Sequence, residues 1–224
     1  MKKINTKATL ILSSLLFAAG ASFAQSGTVK PTPLLAAHEG KSFAPRPEDS
    51  GAIPVFKITP VGSKIKFDVE ASVAIVGTFD KWDATLTFTS TDVSTGVLDI
   101  KIQADSVDTG SGMKNGKLKG KDFFNVKESP VITFKSTKME QTGPDTFAVE
   151  GDFTIRGVTR HEKLNLTVTG KGTGSGTIAG VMALERKEYG MTSGIPFIKI
   201  ANRVEVNVNL KAERISGPPI ALKQ

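Results

Sequence analysis

The sequence predicts an all-β fold, an antiparallel barrel or sandwich of about eight strands. Apolar and polar residues alternate with a period of two through most of the chain after residue 55, which is typical of strands that bury one face. Clusters of turn-forming residues separate these segments at short intervals, and no segment has the pattern of a long helix. A strand count near eight permits a closed barrel whose interior holds side chains or one ligand.

Composition narrows the class of protein. The chain has 224 residues, of which 39% are hydrophobic, so it is long enough for one sizeable core. It contains no cysteine, which excludes disulfides, thiolate metal sites and thiol catalysis. An exported protein without disulfides depends on its core alone for stability.

The first 24 residues have the pattern of a signal peptide. Lys2, Lys3 and Lys7 precede an apolar run that is too short to span a bilayer, and small residues lead up to Ala24. We therefore expect cleavage after Ala24 and a periplasmic or secreted protein. Cleavage removes three lysines and lowers the formal net charge from +7 to +4, which gives little support for nucleic-acid binding.

The remaining chain divides into three parts. Residues 25–53 are rich in proline, glycine and serine and are expected to form a flexible tail. Residues 54–214 carry the alternating segments and form the predicted barrel domain. Residues 215–224 are expected to be a loose C-terminal tail, because Pro218 and Pro219 end the last strand.

Within the domain, the alternation predicts the strands in order. Gly77 falls on the inward side of the first long segment, where a missing side chain would permit a bulge or a bend. The strands are expected at residues 55–79 (one bent strand or two), 82–89, 97–104, 131–140, 146–157, 162–170, 176–186 and 203–214.

One insertion interrupts the strands, at about residues 110–128. Glycines make a long helix unfavourable there, so a short helix or 3₁₀ turn is expected within residues 113–125. Phe123 and Phe124 close this insertion and are too apolar to remain in water, since burying one phenylalanine contributes about 1.5–3 kcal/mol. Pro130 then opens the next strand.

Several motifs of this chain resemble the YceI-like family of exported, lipocalin-like proteins that bind long isoprenoid lipids. The resemblance runs from about residue 55 to 214, in the family's order. It is carried by GSKIKFDVEASVAIVGTF, by SVDTGSGMKNGKLKGKDFFNVKESPVITFKST, by VEGDFTIRGVTR and by LERKEYGM. The chain departs from the family at two places: Glu70-Ala71 replaces a frequent histidine, and Lys114, Asn115 and Lys117 replace an Arg-Asp pair and a histidine.

The resemblance implies a ligand site inside the barrel. By themselves, the inward apolar residues fit an ordinary packed core as well as a cavity; the resemblance favours the cavity. The candidate lining residues are Phe67, Val69, Phe79, Phe88, Ile100, Phe123, Phe124, Phe134, Phe153, Leu166 and Val206. Lys114, Lys117 and Arg186 are candidate contacts for a polar head group; for Arg186 the alternative is a structural ion pair.

Three functional hypotheses follow. The first is a non-enzymatic protein that encloses an isoprenoid quinone or a polyprenyl phosphate, with a transient contact at a membrane surface. The second is an envelope interaction protein whose barrel is filled. The third is a lipid-modifying enzyme, which is disfavoured because the two histidines, His38 and His161, stand in no catalytic or metal-ligand spacing. No cofactor or metal is expected, and the oligomeric state stays open.

Overall fold

The computed structural model describes residues 53–72, 74–194, 197 and 199–223. The predicted signal peptide and almost all of the predicted tail, together with Val73, lie outside these residues. The ten strands are β1 (Val55–Ala71), β2 (Ile75–Phe79), β3 (Trp82–Thr87), β4 (Val97–Gln103), β5 (Val107–Asp108), β6 (Val131–Gln141), β7 (Thr146–Ile155), β8 (Val158–Thr169), β9 (Ser175–Glu185) and β10 (Ile200–Ser216). One α-helix, α1 (Gly112–Lys119), lies in the insertion, and 3₁₀ turns form at Val93–Thr95, Ala104–Ser106 and Arg186–Tyr189.

The strands close into an antiparallel barrel, which confirms the predicted fold class. Eight strands form the ring in the order β1, β3, β4, β6, β7, β8, β9 and β10, and β10 pairs with β1. β1 is long enough to pair with β3 near its start, where Lys57 faces Thr85, and with β2 near its end, where Phe67 faces Gly77. β2 and β3 therefore share one side of β1, and the short β5 pairs with β2.

The bend in the first long segment lies elsewhere than Gly77 suggested. The β1–β2 register runs without a shift through Gly77. Against β10, the register of β1 shifts between Val55 and Phe56, between Thr59 and Lys64, and between Val69 and Ala71. Within the second shift, Gly62 has a φ of 74°, a value that glycine adopts without steric cost. Gly77 instead gives room to a ring, because a Cβ there would lie 2.5 Å from Cζ of Phe67.

Alternation places one face of each strand in a continuous core. Of the inward residues chosen from the sequence, all are buried except Val206, which is half-buried. Tyr189 and Leu210 are completely buried. None of the described helices is long and apolar enough to cross a membrane.

The insertion folds as a short helix followed by turns. The hydroxyl of Ser111 accepts a hydrogen bond from the amide of Lys114 and caps the start of α1. The helix ends at Lys119, earlier than the limit of 125 that the sequence allowed, and Gly120 follows it. The amide of Phe124 donates to the carbonyl of Leu118 at 2.9 Å, which turns the chain back toward the barrel.

Candidate functional site

The two ends of the barrel are built differently. The insertion end contains α1, the β7–β8 turn and the start of β10. The opposite end contains the β3–β4, β6–β7 and β8–β9 connections and the segment after β10. We call that segment, Gly217–Lys223, the strap, and its end of the barrel the strap end.

At the insertion end, aromatic rings nearly fill the interior. The ring centroids of Phe67, Phe79 and Phe124 lie 5.6–6.0 Å apart, and the Phe67–Phe124 pair meets edge to face, a favourable geometry for aromatic pairs. The cavity that remains has a volume of about 70 Å³.

The two phenylalanines of the insertion close this end. Only 4% of the surface of Phe123 and 7% of Phe124 is exposed, and Leu118 of α1 packs in the same cluster. All three line the small cavity. They therefore seal the insertion end from inside.

Arg186 lies buried beside this cavity and has no carboxylate partner among the described residues. Its guanidinium donates to backbone carbonyls: Nε to Ala201 at 2.9 Å, and Nη1 to Met191 and to Ser193, the latter at 3.0 Å. Burial lowers the pKa of Arg186 from its ordinary value. The alternative of a structural ion pair was wrong: carbonyl groups hold this charge, which ties the loop after β9 to β10.

The lysines chosen for a head group are bound elsewhere. Nζ of Lys117 lies 3.0 Å from Oδ2 of Asp122 and 5.8 Å from the centre of the Phe123 ring. Nζ of Lys114 donates to the carbonyl of Ala74 at 3.4 Å. The hydrogen bond from Lys117 lowers the pKa of Asp122, so this carboxyl is ionised at neutral pH.

A hydrogen-bonded pair of a buried tyrosine and a half-buried glutamate lies near the same end. The hydroxyl of Tyr189 donates to Oε1 of Glu162 at 2.6 Å, and its ring meets Phe153 edge to face at 5.7 Å. Burial and this hydrogen bond raise the pKa of Tyr189 well above its ordinary value. The tyrosine is therefore a neutral packing element, not an acid at physiological pH.

The strap end holds the large internal space. A pocket of about 750 Å³ opens there, within the range of about 300–1,000 Å³ that small-molecule sites occupy. Its apolar lining comes from the barrel interior and from the strap: Phe56, Leu86, Phe88, Leu98, Met139, Phe147, Leu166, Val168, Ile178, Pro219, Ile220 and Leu222. Lys171, Arg214 and Lys223 are its charged lining residues among those described.

The strap, which the sequence predicted to be a loose tail, makes several hydrogen bonds with the barrel. The amide of Ala221 donates to the carbonyl of Thr91 at 2.8 Å, and Asp92 and Ala221 form a parallel bridge. The side chain of Gln141 forms two hydrogen bonds with Lys223: Nε2 donates to its carbonyl at 2.8 Å, and Oε1 accepts from its amide at 2.7 Å. Alternation of Ile220 and Leu222 was the available signal for a packed segment.

The structure therefore divides the predicted lining set. At the insertion end lie Phe67, Val69, Phe79, Phe123, Phe124, Phe153 and Val206, with Arg186. At the strap end lie Phe88 and Leu166. Ile100 and Phe134 are buried and pair across β4 and β6, and they line neither space. The sequence analysis missed most of the strap-end lining, including Phe56, Met139 and Phe147.

The described residues contain no group of three side chains suited to a metal ion. His161 lies on the exposed face of β8, with Nδ1 3.2 Å from Oδ1 of Asp152 and Nε2 3.9 Å from a Glu150 oxygen. This cluster faces away from both internal spaces, since Asp152 and His161 alternate with inward residues of β7 and β8. The interior offers apolar surface, with Arg186 at the insertion end and Lys171, Arg214 and Lys223 at the strap end.

Comparisons with known proteins agree with this architecture. A family model described as a YceI-like domain matches residues 56–212. A UPF0312 protein of Yersinia pestis is 31% identical over 126 residues, which span 54% of this chain and 65% of that relative.

Two solved structures extend the comparison. Burkholderia cenocepacia BcnA is 26% identical, with a TM-score of 0.63 over 69% of this chain and 99% of that one. A Saccharophagus degradans domain shares the fold at 15% identity, with a TM-score of 0.55 over 72% of this chain and 99% of that one. That protein is described as a polyisoprenoid binding domain implicated in plant cell wall breakdown.

Proposed function

The chain belongs to the YceI-like family, and from this premise we propose that it is a non-enzymatic protein that encloses a long apolar lipid in its barrel. The observation that carries the proposal is the pocket of about 750 Å³ inside the strap end. Aromatic and branched aliphatic side chains line it, and few polar groups interrupt them. Such a site binds by removing apolar surface from water.

An isoprenoid is the chemical class that suits this lining. The Saccharophagus degradans domain, described as polyisoprenoid binding, has the same fold. An isoprenoid chain is apolar and carries branched methyl groups, which pack well against phenylalanine, leucine and isoleucine. Burial contributes about 0.8 kcal/mol for each CH₂ equivalent.

The arrangement of side chains favours binding over catalysis. A catalytic site needs a nucleophile or general base within hydrogen-bond reach of its partners. The groups that face the insertion-end cavity are apolar apart from Arg186, which is saturated by carbonyls. At the strap end the charged groups are cations, which can hold an anion but do not abstract a proton.

A filled barrel with a role in envelope interactions is the second candidate. One observation favours it: the insertion-end half of the interior leaves only about 70 Å³. A ligand longer than the strap-end pocket would have to displace Phe67, Phe79 or Phe124. The two candidates differ in whether the purified protein carries lipid.

Native mass spectrometry of the protein isolated from its own compartment tests the proposal. We expect a mass increment equal to an isoprenoid lipid, which disappears after extraction with organic solvent and returns when prenyl lipid is added back. A protein that is empty after mild purification and binds neither farnesol nor a longer prenyl alcohol would contradict it. That result would support the filled barrel.

We further propose that the protein is exported and that its first 24 residues are removed. The basic start, the short apolar run and Ala24 support this. Fractionation of the native host followed by N-terminal sequencing tests it, with Gln25 as the expected first residue. An intact Met1 on a cytoplasmic protein would overturn it.

A further inference from the structure

The strap lies across the strap-end pocket and contributes Pro219, Ile220 and Leu222 to its lining. Ile220 and Leu222 face the pocket and pack partly buried against the core. The strap is attached at two points, to Thr91 at the β3–β4 connection and to Gln141 at the end of β6. It therefore crosses the end of the barrel from the β3–β4 connection to the end of β6.

The strap lies outside the strand ladders of the barrel. The β9–β10 ladder ends at the pair of Glu213 and Ser175, before the strap begins. Gly217 adopts a φ of 78°, and Pro218 and Pro219 have no amide hydrogen to donate. The segment thus has a turn at its start, few hydrogen bonds, and no ladder partner to lose beyond one bridge.

The insertion end offers a much more costly route. The Phe123 and Phe124 rings are buried, and their backbone amides are bonded to the carbonyls of Gly120 and Leu118. The guanidinium of Arg156 ties this segment to the barrel by donating to the carbonyls of Lys121 and Gly190. A ligand entering there would have to unpack the insertion as a whole.

Cationic side chains surround the strap. Nη1 of Arg214 donates to the carbonyl of Gly217, and Nζ of Lys171 lies 2.5 Å from Oδ1 of Asp145. Hydrogen bonds from Ser94 lower the pKa of Asp92, and the nearby charge of Lys223 adds a smaller effect in the same direction. Arg214 has no carboxylate partner among the described residues, so it can accept an anion by exchanging only a carbonyl contact.

From these observations we propose that the strap is the gate of the ligand portal, and that the ligand enters with its apolar end first. Its polar end, an anionic head such as a phosphate, then lies at the strap beside Arg214. This inference rests on the proposed lipid-binding function and reverses the orientation in which Lys114 and Lys117 contact the head group. It also assigns Gln141 as the latch that holds the strap.

The first experiment measures exchange kinetics after the latch is removed. Gln141→Leu deletes both hydrogen bonds to Lys223, while Gln103→Leu makes the same change on the exposed face of β4. The probe is N-phenyl-1-naphthylamine, displaced by farnesol in a stopped-flow instrument using the full exported chain. For Gln141→Leu we expect the rates of probe uptake and of probe release both to increase about tenfold or more, because two hydrogen bonds hold the closed state. For Gln103→Leu we expect no change in either rate.

The second experiment locks the gate. The chain contains no cysteine, so Asp92→Cys with Ala221→Cys introduces a single possible disulfide between bridge partners, whose spacing a disulfide can span. Oxidation should slow probe uptake by at least about tenfold, and reduction should restore it. The reduced form controls for the loss of the Asp92 side chain.

The third experiment tests the orientation of the head group. Arg214→Gln should weaken binding of farnesyl monophosphate by about tenfold, as expected for loss of one charge-assisted contact, and leave farnesol unaffected. Equal loss for both ligands, or loss after Lys114→Gln instead, would overturn the assignment.

The outcomes separate the gate from the function. If the wild-type protein binds neither N-phenyl-1-naphthylamine nor farnesol, the lipid-binding proposal fails. If it binds probe but oxidation of the cysteine pair leaves the rates unchanged, binding stands and the strap is not the gate.

Discussion

The ring of Phe67 occupies the space over Gly77 on the paired strand. The two residues face each other in the β1–β2 register, and a Cβ on Gly77 would lie 2.5 Å from Cζ and 2.6 Å from Cε1 of that ring. The glycine thus lets the aromatic cluster with Phe79 and Phe124 form at the insertion end. Its role is packing, and the strand continues through it.

Gly77→Ala is expected to destabilise the protein by about 1–3 kcal/mol, the usual cost of overpacking a core. The ring can yield only by moving into the adjacent cavity of about 70 Å³. Urea denaturation with linear extrapolation measures the change in the free energy of unfolding. A neutral or stabilising effect would show that Phe67 has room that the structure does not suggest.

Gly116→Ala is the matched control and should act in the opposite direction. Gly116 lies inside α1, and a Cβ there meets nothing within 4 Å. Replacing a helix-interior glycine with alanine stabilises a helix by up to about 1 kcal/mol. The same denaturation measurement applies. A destabilised variant would indicate that α1 is not helical in solution.

Sequence periodicity predicts local geometry, namely which face of a strand each residue occupies. The pleat of a single strand places Ile65, Phe67 and Val69 on the same face, so their inward orientation could be predicted without knowing which strand pairs with it. Closure could not, because it joins distant parts of the chain: the amide of Lys211 donates to Oγ of Ser63 at 2.8 Å. The fold class was predictable because alternation, turn spacing and family motifs all agreed on it.

The location of empty space was not predictable. A cavity is the difference between the volume that eight strands enclose and the volume of the side chains inside, and no single residue encodes it. Phe79 and Phe88 both fall on the inward side of alternating segments, yet Phe88 lines the wide pocket and Phe79 helps to fill the opposite end. The strap was missed for another reason: Pro218 and Pro219 suggested a loose tail, while Gln141, its anchor, lies far away in sequence.

The single tyrosine, Tyr189, makes the stability of the protein depend on pH in the alkaline range. Tyr189 is fully buried, and burial together with the hydrogen bond to Glu162 raises its pKa in the folded state. A raised folded pKa stabilises the protein fully below the unfolded value of about 10 and progressively less above it. The free energy of unfolding should therefore fall as pH rises above about 10.

Near-ultraviolet absorbance checks this prediction, since tyrosinate forms only from Tyr189. The folded protein should show no tyrosinate signal until it unfolds, and the signal should then appear together with the loss of native circular dichroism. Tyr189→Phe isolates the contribution of this residue, because the stability of the variant should depend less steeply on pH. A free titration of the folded protein near pH 10 would contradict the buried hydrogen bond.

Arg186→Met should be strongly destabilising, by about 2–4 kcal/mol. The substitution keeps the apolar stem but leaves the carbonyls of Met191, Ser193 and Ala201 without their donor, and unsatisfied buried acceptors are costly. Arg203→Met, at an exposed position on β10, should stay within about 0.5 kcal/mol of the wild type. Thermal and urea unfolding of both variants make the comparison; equal stability would mean that water replaces the guanidinium without cost.

Val168→Trp should separate ligand binding from stability. Val168 is half-buried and lines the strap-end pocket, so an indole there fills part of a space of about 750 Å³ without displacing the packed rings at the other end. Thr167→Trp places the same side chain on the outer face of β8, at the adjacent exposed position. We expect the dissociation constant for farnesol to rise at least about tenfold only for Val168→Trp, because excluded volume removes apolar contact area worth more than about 1.4 kcal/mol.

Fluorescence titration measures affinity, and urea unfolding verifies that both variants stay folded. Unchanged affinity in a folded Val168→Trp protein would move the ligand to the insertion end, where Phe67, Phe79 and Phe124 would then have to part to admit it.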